Sequence, residues 1–299
     1  MSIFIKKYKN LILFIIFIVI ISYFLHKNKS NNTIYEGMTY NESQKGIKYI
    51  YKDPDNIEIA QLYDYGKCLL INNEIQLCDN KEHVYHDMIT HFPIQYLQSY
   101  IKNVLIIGGG DLMTLREVMK YNTIENAVML ELNETVVDIC KEHFNQDTFE
   151  EDSRVEIIYG DANITIDKLD TDYKNSFDLI IVDTTEDSDF NSPIDTIEFF
   201  EKCIKLLQPN GLLVKNGERF INLFKEIENT NVISYYVFIP YFENSYPFSI
   251  LSLKNNDIKE IDIEKNKWDD YNIDCKFYKK KKHNQYLIYD NNNPDDYVF

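Results

Sequence analysis

Four apolar runs in this 299-residue chain end in a carboxylate. "VLIIGGGD", "VMLE", "VEIIYGD" and "LIIVD" close on Asp111, Glu131, Asp161 and Asp183. Three consecutive glycines, Gly108, Gly109 and Gly110, precede Asp111 in a chain with only nine. Without a Cβ, they let backbone approach a ligand closely. A dinucleotide fingerprint would need a further glycine where Met113 stands, and no Gly-Lys-Ser/Thr phosphate loop follows. Asp111 would also repel a pyrophosphate at a helix N-terminus. Its ordinary use is to cap the helix; its functional use would be to pair with a cation. Glu131 stands where a carboxylate takes a ribose diol, and Asp161 could accept from an adenine amino group. Asp183 follows a wholly apolar strand, with Glu186 and Asp187 three and four residues on. Unpaired, these carboxylates would repel one another and raise their pKa values. A cationic ligand removes that penalty. The pattern points to an adenosine-like ligand with positive charge and no phosphate, as in a sulfonium nucleoside.

The elements that position these residues are legible in the hydrophobic pattern. From about residue 101, apolar strands alternate with amphipathic helices, which predicts a parallel, doubly wound sheet covered on both faces. Ligands in such sheets bind beyond the carboxyl ends of the strands, where the acids fall. Residues 48–98 read as a small antiparallel β domain with a helix. Asn72-Asn73 is its hairpin turn, and Val84, Met88 and His91 share one helical face. Residues 31–47 read as a linker. Leu11–Leu25 carries no charge, with Lys6, Lys7 and Lys9 before it and Lys27 and Lys29 after. Its fifteen residues fall below the roughly 17–25 of a spanning helix, but snorkelling lysines extend it. Residues 1–30 therefore read as an uncleaved, single-pass membrane anchor, and residues 99–299 as the main domain.

The net charge of -17 argues against a nucleic-acid partner, which needs a basic stripe. The five cysteines, Cys68, Cys78, Cys140, Cys203 and Cys275, include no CxxC pair, and their number is odd. Reduced, buried thiols are expected rather than a zinc site or a disulfide framework. The six histidines form no HExxH, and no metal is expected.

The segments "AQLYDYG", "EIQLCDNKEHVYHDMITHFP", "VLIIGGGDLMTLREV", "LELNETVV", "YGDAN" and "DLIIVDTTED" resemble, in order and spacing, those of the spermidine synthase family of polyamine aminopropyltransferases. The resemblance runs from about residue 48 to about 290. It implies a class I methyltransferase-like Rossmann domain behind a small β domain. It also implies transfer of an aminopropyl group from decarboxylated S-adenosylmethionine, a co-substrate rather than a tightly bound cofactor, to a diamine. By motif, Asp183 would take the amine's proton and Asp111 would hold the donor's ammonium. Glu131 would hold its ribose, Asp161 its adenine and Gln61 its sulfur end, over the turn Gly108–Gly110. Tyr85 would orient the attacking amine; Gln76, His86 and Glu186 would complete the substrate site. A homodimer is also implied.

Three departures stand out. Leu112-Met113 replaces the family's Gly-Gly. The loop "DTTEDSDF" places Glu186 at the second Asp and loses Pro-Gly-Pro. "IPYFENSYP" puts Phe242 where the family has Tyr. Two other readings follow from these residues: an N-methyltransferase using intact S-adenosylmethionine, which Asp111 disfavours, and a membrane-tethered, non-catalytic partner. The sequons at Asn133 and Asn163 fall in ligand loops, where a sugar would block the site, so a cytoplasmic body is expected.

Overall fold

A period-two pattern of apolar side chains builds two sheets in the computed structural model, which describes residues 47–147, 149, 151–185 and 192–287. The anchor at 11–25, nearly all of the linker and Glu186 lie outside the described residues. Among the described residues no helix is long and apolar enough to cross a membrane.

Strands β1 (Lys48–Lys52), β2 (Ile57–Leu62), β3 (Gly66–Ile71) and β4 (Glu74–Cys78) pair antiparallel in sequence order. Asn72 and Asn73 take φ of 53° and 65°, the left-handed pair that a two-residue hairpin requires. The register sets Cys68 opposite Cys78 with Cα atoms 4.1 Å apart, and the two form a disulfide. This corrects the expectation of five free thiols. The pairing depends on strand register, which cysteine spacing does not encode. Cys140, Cys203 and Cys275 are free and buried.

The second sheet contains β5 (Asn103–Gly108), β6 (Asn126–Glu131), β7 (Val155–Tyr159), β8 (Phe177–Asp183), β9 (Leu207–Asn216), β10 (Thr230–Ile239) and β11 (Asn244–Leu253). Its order is β10-β11-β9-β8-β5-β6-β7. Strands β5 to β9 pair parallel, as expected, but β10 and β11 form an antiparallel hairpin on the β9 edge. The turn between them is a single 3-10 turn, Pro240–Phe242, far shorter than a parallel crossover needs.

Side chains alternate strictly between the two faces of the parallel strands. Val104, Ile106, Met129, Leu179, Ile181 and Val214 enter one core, and Leu105, Ile107, Val128, Ile180, Val182 and Leu213 the other. Helices α1 (Glu82–Ile94) and α2 (Met113–Val118) cover the first face. Two later helices, Ala162–Asp172 and Ile197–Leu206, cover the second. Helix α3 (Glu134–Phe144) packs Val136, Ile139, Cys140 and Phe144 against Ile57, Ile59, Leu69 and Leu77 of the small sheet. Val84, Met88 and His91 are all buried, as the helical spacing predicts. Asp87 ties α1 to the C-terminal segment by accepting the N–H groups of Phe277 and Tyr278 at 2.6 and 3.1 Å.

Candidate active site

The sheet order reverses between β5 and β8. β5 continues through β6 to β7 on one side, and β8 continues to β9 on the other. A crevice opens at the carboxyl ends of strands at such a point. The register pairs Gly108 with Asp183, and the Gly109 N–H donates to the Asp183 carbonyl at 2.8 Å. Gly108 and Gly109 take φ of 82° and 74°, in the left-handed region that favours glycine. A Cβ on Gly108 would stand 2.2 Å from the Asp183 carbonyl oxygen. The glycine turn is therefore what allows the Asp183 backbone to lie against β5.

The Asp183 carboxylate accepts one hydrogen bond on each oxygen, from the Tyr85 hydroxyl at 2.6 Å and from Thr114 Oγ1 at 2.5 Å. One donor sits on α1 and the other on α2, so packing of two helices fixes its orientation. Burial raises the Asp183 pKa and the Asp111 charge raises it further, against the opposing effects of His86, Thr114 and Tyr85. Burial and the Asp183 charge push the Tyr85 phenol well up, so it remains a neutral donor.

Asp111 serves two purposes at once. One oxygen accepts the Met113 N–H at 2.7 Å where α2 begins, although Leu112 and not Asp111 is the N-cap residue; the other faces His86 Nε2 at 3.3 Å. His86 Nδ1 donates to Glu82 Oε2 at 2.9 Å, and Arg116 donates to the same oxygen at 2.9 Å. Burial would lower the His86 pKa, but Asp111 and Glu82 outweigh it and hold the imidazole well above its usual value. Burial pushes the Glu82 carboxyl up, yet His86 and Arg116 bring it to about 2. The result is an alternating chain, Asp111–His86–Glu82–Arg116, that leads away from the crevice and fixes the position of Asp111.

Leu112 follows with φ of 66° in the left-handed region, and it is fully buried. That backbone costs a non-glycine residue about 1–2 kcal/mol, while burying a leucine side chain contributes about 1.5–3 kcal/mol. Burial offsets the strain, so a side chain is tolerated where the resembling family has glycine.

Glu131 approaches Gly110 closely. A Cβ on Gly110 would lie 3.0 Å from the Glu131 carboxyl carbon. Burial raises the Glu131 pKa to about 7, against a 2.8 Å hydrogen bond from the Asn133 N–H and with the Asp111 charge adding to the rise. Asp161 caps the helix Ala162–Asp172 through the Asn163 N–H at 2.8 Å, and the Gly160 N–H donates to the Glu131 carbonyl. Gln61 continues the strand face of Ile57 and Ile59, which pack with Met113 and Val136. Gln76 is the extra residue of a β-bulge opposite Leu69 and Leu70.

The structure thus gathers Tyr85, His86, Gly108, Gly109, Gly110, Asp111, Glu131 and Asp183 at one edge. It also adds Thr114, Glu82 and Arg116, which sequence reading passed over. The i,i+4 spacing of Glu82 and His86 on a helix was the available signal for Glu82. Thr114 and Arg116 required the tertiary fold.

Residues 82–260 match the family described as spermine/spermidine synthase domain. A polyamine aminopropyltransferase of Alkaliphilus oremlandii (strain OhILAs) is 40% identical over 163 residues, covering 54% of this chain and 56% of the relative. One of Alkaliphilus metalliredigens (strain QYMF) is 30% identical over 240 residues, covering 76% of this chain and 82% of the relative. The crystal structure of a spermidine synthase in complex with the transition-state analogue AdoDATO superposes with a TM-score of 0.68 at 26% identity. That match covers 80% of this chain and 85% of the other.

Proposed function

This chain belongs to the spermine/spermidine synthase family, and from that premise we propose how its residues carry out polyamine aminopropyl transfer. The donor is decarboxylated S-adenosylmethionine and the acceptor a diamine such as putrescine. The observation that carries the reading is the convergence of Asp111, Glu131 and Asp183 on one crevice beside a glycine turn.

Glu131 accepts the ribose hydroxyls of the donor. Asp111 pairs with its aminopropyl ammonium, and Asp161 and Gln61 hold the adenine and the sulfur end. The diamine lies beside Tyr85 and Glu186, with Gln76 and His86 near the donor. A neutral amine nitrogen attacks the methylene carbon next to the sulfonium. The N–C bond forms as the C–S bond breaks, and the bonding pair leaves on sulfur as neutral methylthioadenosine. The leaving group needs no acid. The work of the site is in-line alignment and removal of the proton from an amine whose ordinary pKa is near 10, as for lysine. The Asp183 carboxylate, oriented by Tyr85 and Thr114, takes that proton. A raised pKa makes it a better proton acceptor than a free carboxylate.

Glu131 must be ionised to accept the diol. Its pKa near 7 predicts that methylthioadenosine affinity rises as pH climbs through 7 and levels off about one pH unit higher. Calorimetry across that range checks this, and Glu131→Gln should flatten the curve. A wild-type affinity that does not change with pH would remove Glu131 from the ribose site.

Turnover against a diamine panel tests the function. Methylthioadenosine and an aminopropylated amine should appear in equal amounts. Absence of both products with every diamine, while donor still binds, would favour the non-catalytic partner reading. A single-pass anchor at 11–25, a cytoplasmic body and a homodimer belong to the same proposal. The first two rest on the apolar run and the sequons, and the last on the resemblance.

A further inference from the structure

Tyr241 lies in the 3-10 turn Pro240–Phe242 between β10 and β11. It is fully buried, and its hydroxyl has no hydrogen-bond partner among the described residues. Buried hydroxyls are nearly always paired, so an orphan needs a cause. Its ring stands against Phe242, with centroids 4.6 Å apart. Phe242 stands against Tyr246 at 5.3 Å and Tyr246 against Tyr85 at 6.2 Å, the residue whose hydroxyl holds Asp183. An unbroken chain of aromatic rings therefore links the turn to the crevice.

We infer that the Tyr241 hydroxyl is a further ligand for the donor's aminopropyl ammonium, accepting a hydrogen bond from it beside Asp111. The inference rests on the aminopropyl-transfer reading above and identifies a positioning group within that site. Burial first, then the charges of Asp111, Glu82 and Asp183, keep the phenol protonated. Asp111, Glu82 and Asp183 all act electrostatically on the phenol, and Asp111 acts most strongly of the three. A neutral phenol among carboxylates can offer its lone pairs to a cation while its proton turns toward an acid. An ammonium fits that environment, and an anion does not. Phe242 lacks a hydroxyl, so within this turn the only phenol oxygen is that of Tyr241.

The test is Tyr241→Phe in the full chain, which removes one oxygen and no hydrogen bond to a described residue. Calorimetry compares decarboxylated S-adenosylmethionine, which has the ammonium, with methylthioadenosine, which lacks it. The variant should keep the wild-type melting temperature and methylthioadenosine affinity, yet bind the decarboxylated donor about tenfold or more weakly, the scale of a hydrogen bond to a charged group. An unchanged preference between the two nucleosides, or an equal loss of both, overturns the inference and leaves aminopropyl transfer standing. A wild-type protein with no preference for the cationic nucleoside overturns both. A normal preference that Tyr241→Phe erodes, with no turnover of any diamine, sinks the transfer reading alone.

Discussion

Asp183→Asn lowers kcat by about 10²–10⁴, the range spanned by positioned acid–base groups, while methylthioadenosine affinity changes little. The substitution keeps the shape of the side chain and one acceptor oxygen, so either Tyr85 or Thr114 retains its hydrogen bond. What is lost is the site that takes up the amine's proton as the N–C bond forms. An amide cannot accept that proton, so the reaction must wait for one lost to solvent before attack. Donor binding should survive, because the proposed site assigns the nucleoside to Asp111 and Glu131. The measurement is methylthioadenosine release at saturating diamine, run beside a binding isotherm. A kcat within about threefold of wild type would remove Asp183 as the proton acceptor.

Gly108→Ala produces the second large effect, and it acts through backbone. The residue has φ of 82°, and a Cβ there meets the Asp183 carbonyl oxygen at 2.2 Å. Left-handed strain costs about 1–3 kcal/mol, and overpacking of this kind costs about 1–3 kcal/mol more. The obstructing atom is main chain in a central strand and cannot swing aside. Relief comes only by pushing β8 from β5, which moves Asp183 away from Tyr85 and Thr114. Displacing a reacting group by about 1 Å costs on the order of 100-fold in rate. We expect unfolding free energy to fall by about 2–6 kcal/mol in denaturant titration, and kcat/KM of the folded fraction to fall at least about 100-fold. Gly110→Ala is the control. Its φ lies outside the left-handed region, and its Cβ would press on the Glu131 carboxyl at 3.0 Å rather than on backbone. It should weaken donor binding with a smaller loss of stability. Equal stability losses in the two variants would contradict this account of the turn.

The parallel strands and the residues at their ends were readable because each strand is a short apolar run closed by glycine or an acid. The Asn72-Asn73 hairpin was readable because two left-handed positions in succession favour that residue type. The β10–β11 hairpin was not. Its turn, "PYFE", lacks a glycine, and Glu243 supplies the left-handed residue with φ of 50°. Its alternation is also blurred by partly buried positions on both faces. The Cys68–Cys78 bridge escaped because opposition across β3 and β4 depends on register and on the bulge at Gln76. At the site, sequence identified the acids and glycines that the strand ends bring together. It did not identify Thr114 or Arg116, which come within reach only when α2 packs against the sheet edge. Leu112 shows why a departure from a motif need not break it: burial compensates for the backbone that glycine would have eased.

The central claim is that this crevice selects a sulfonium nucleoside carrying an ammonium and no carboxylate. Competition between intact and decarboxylated S-adenosylmethionine, followed by calorimetry on the full chain, tests it most directly. A carboxylate brought beside Asp111 costs several kcal/mol, so the decarboxylated form should bind at least about 100-fold tighter. Equal affinity, or tighter binding of the intact form, would contradict the account and favour methyl transfer.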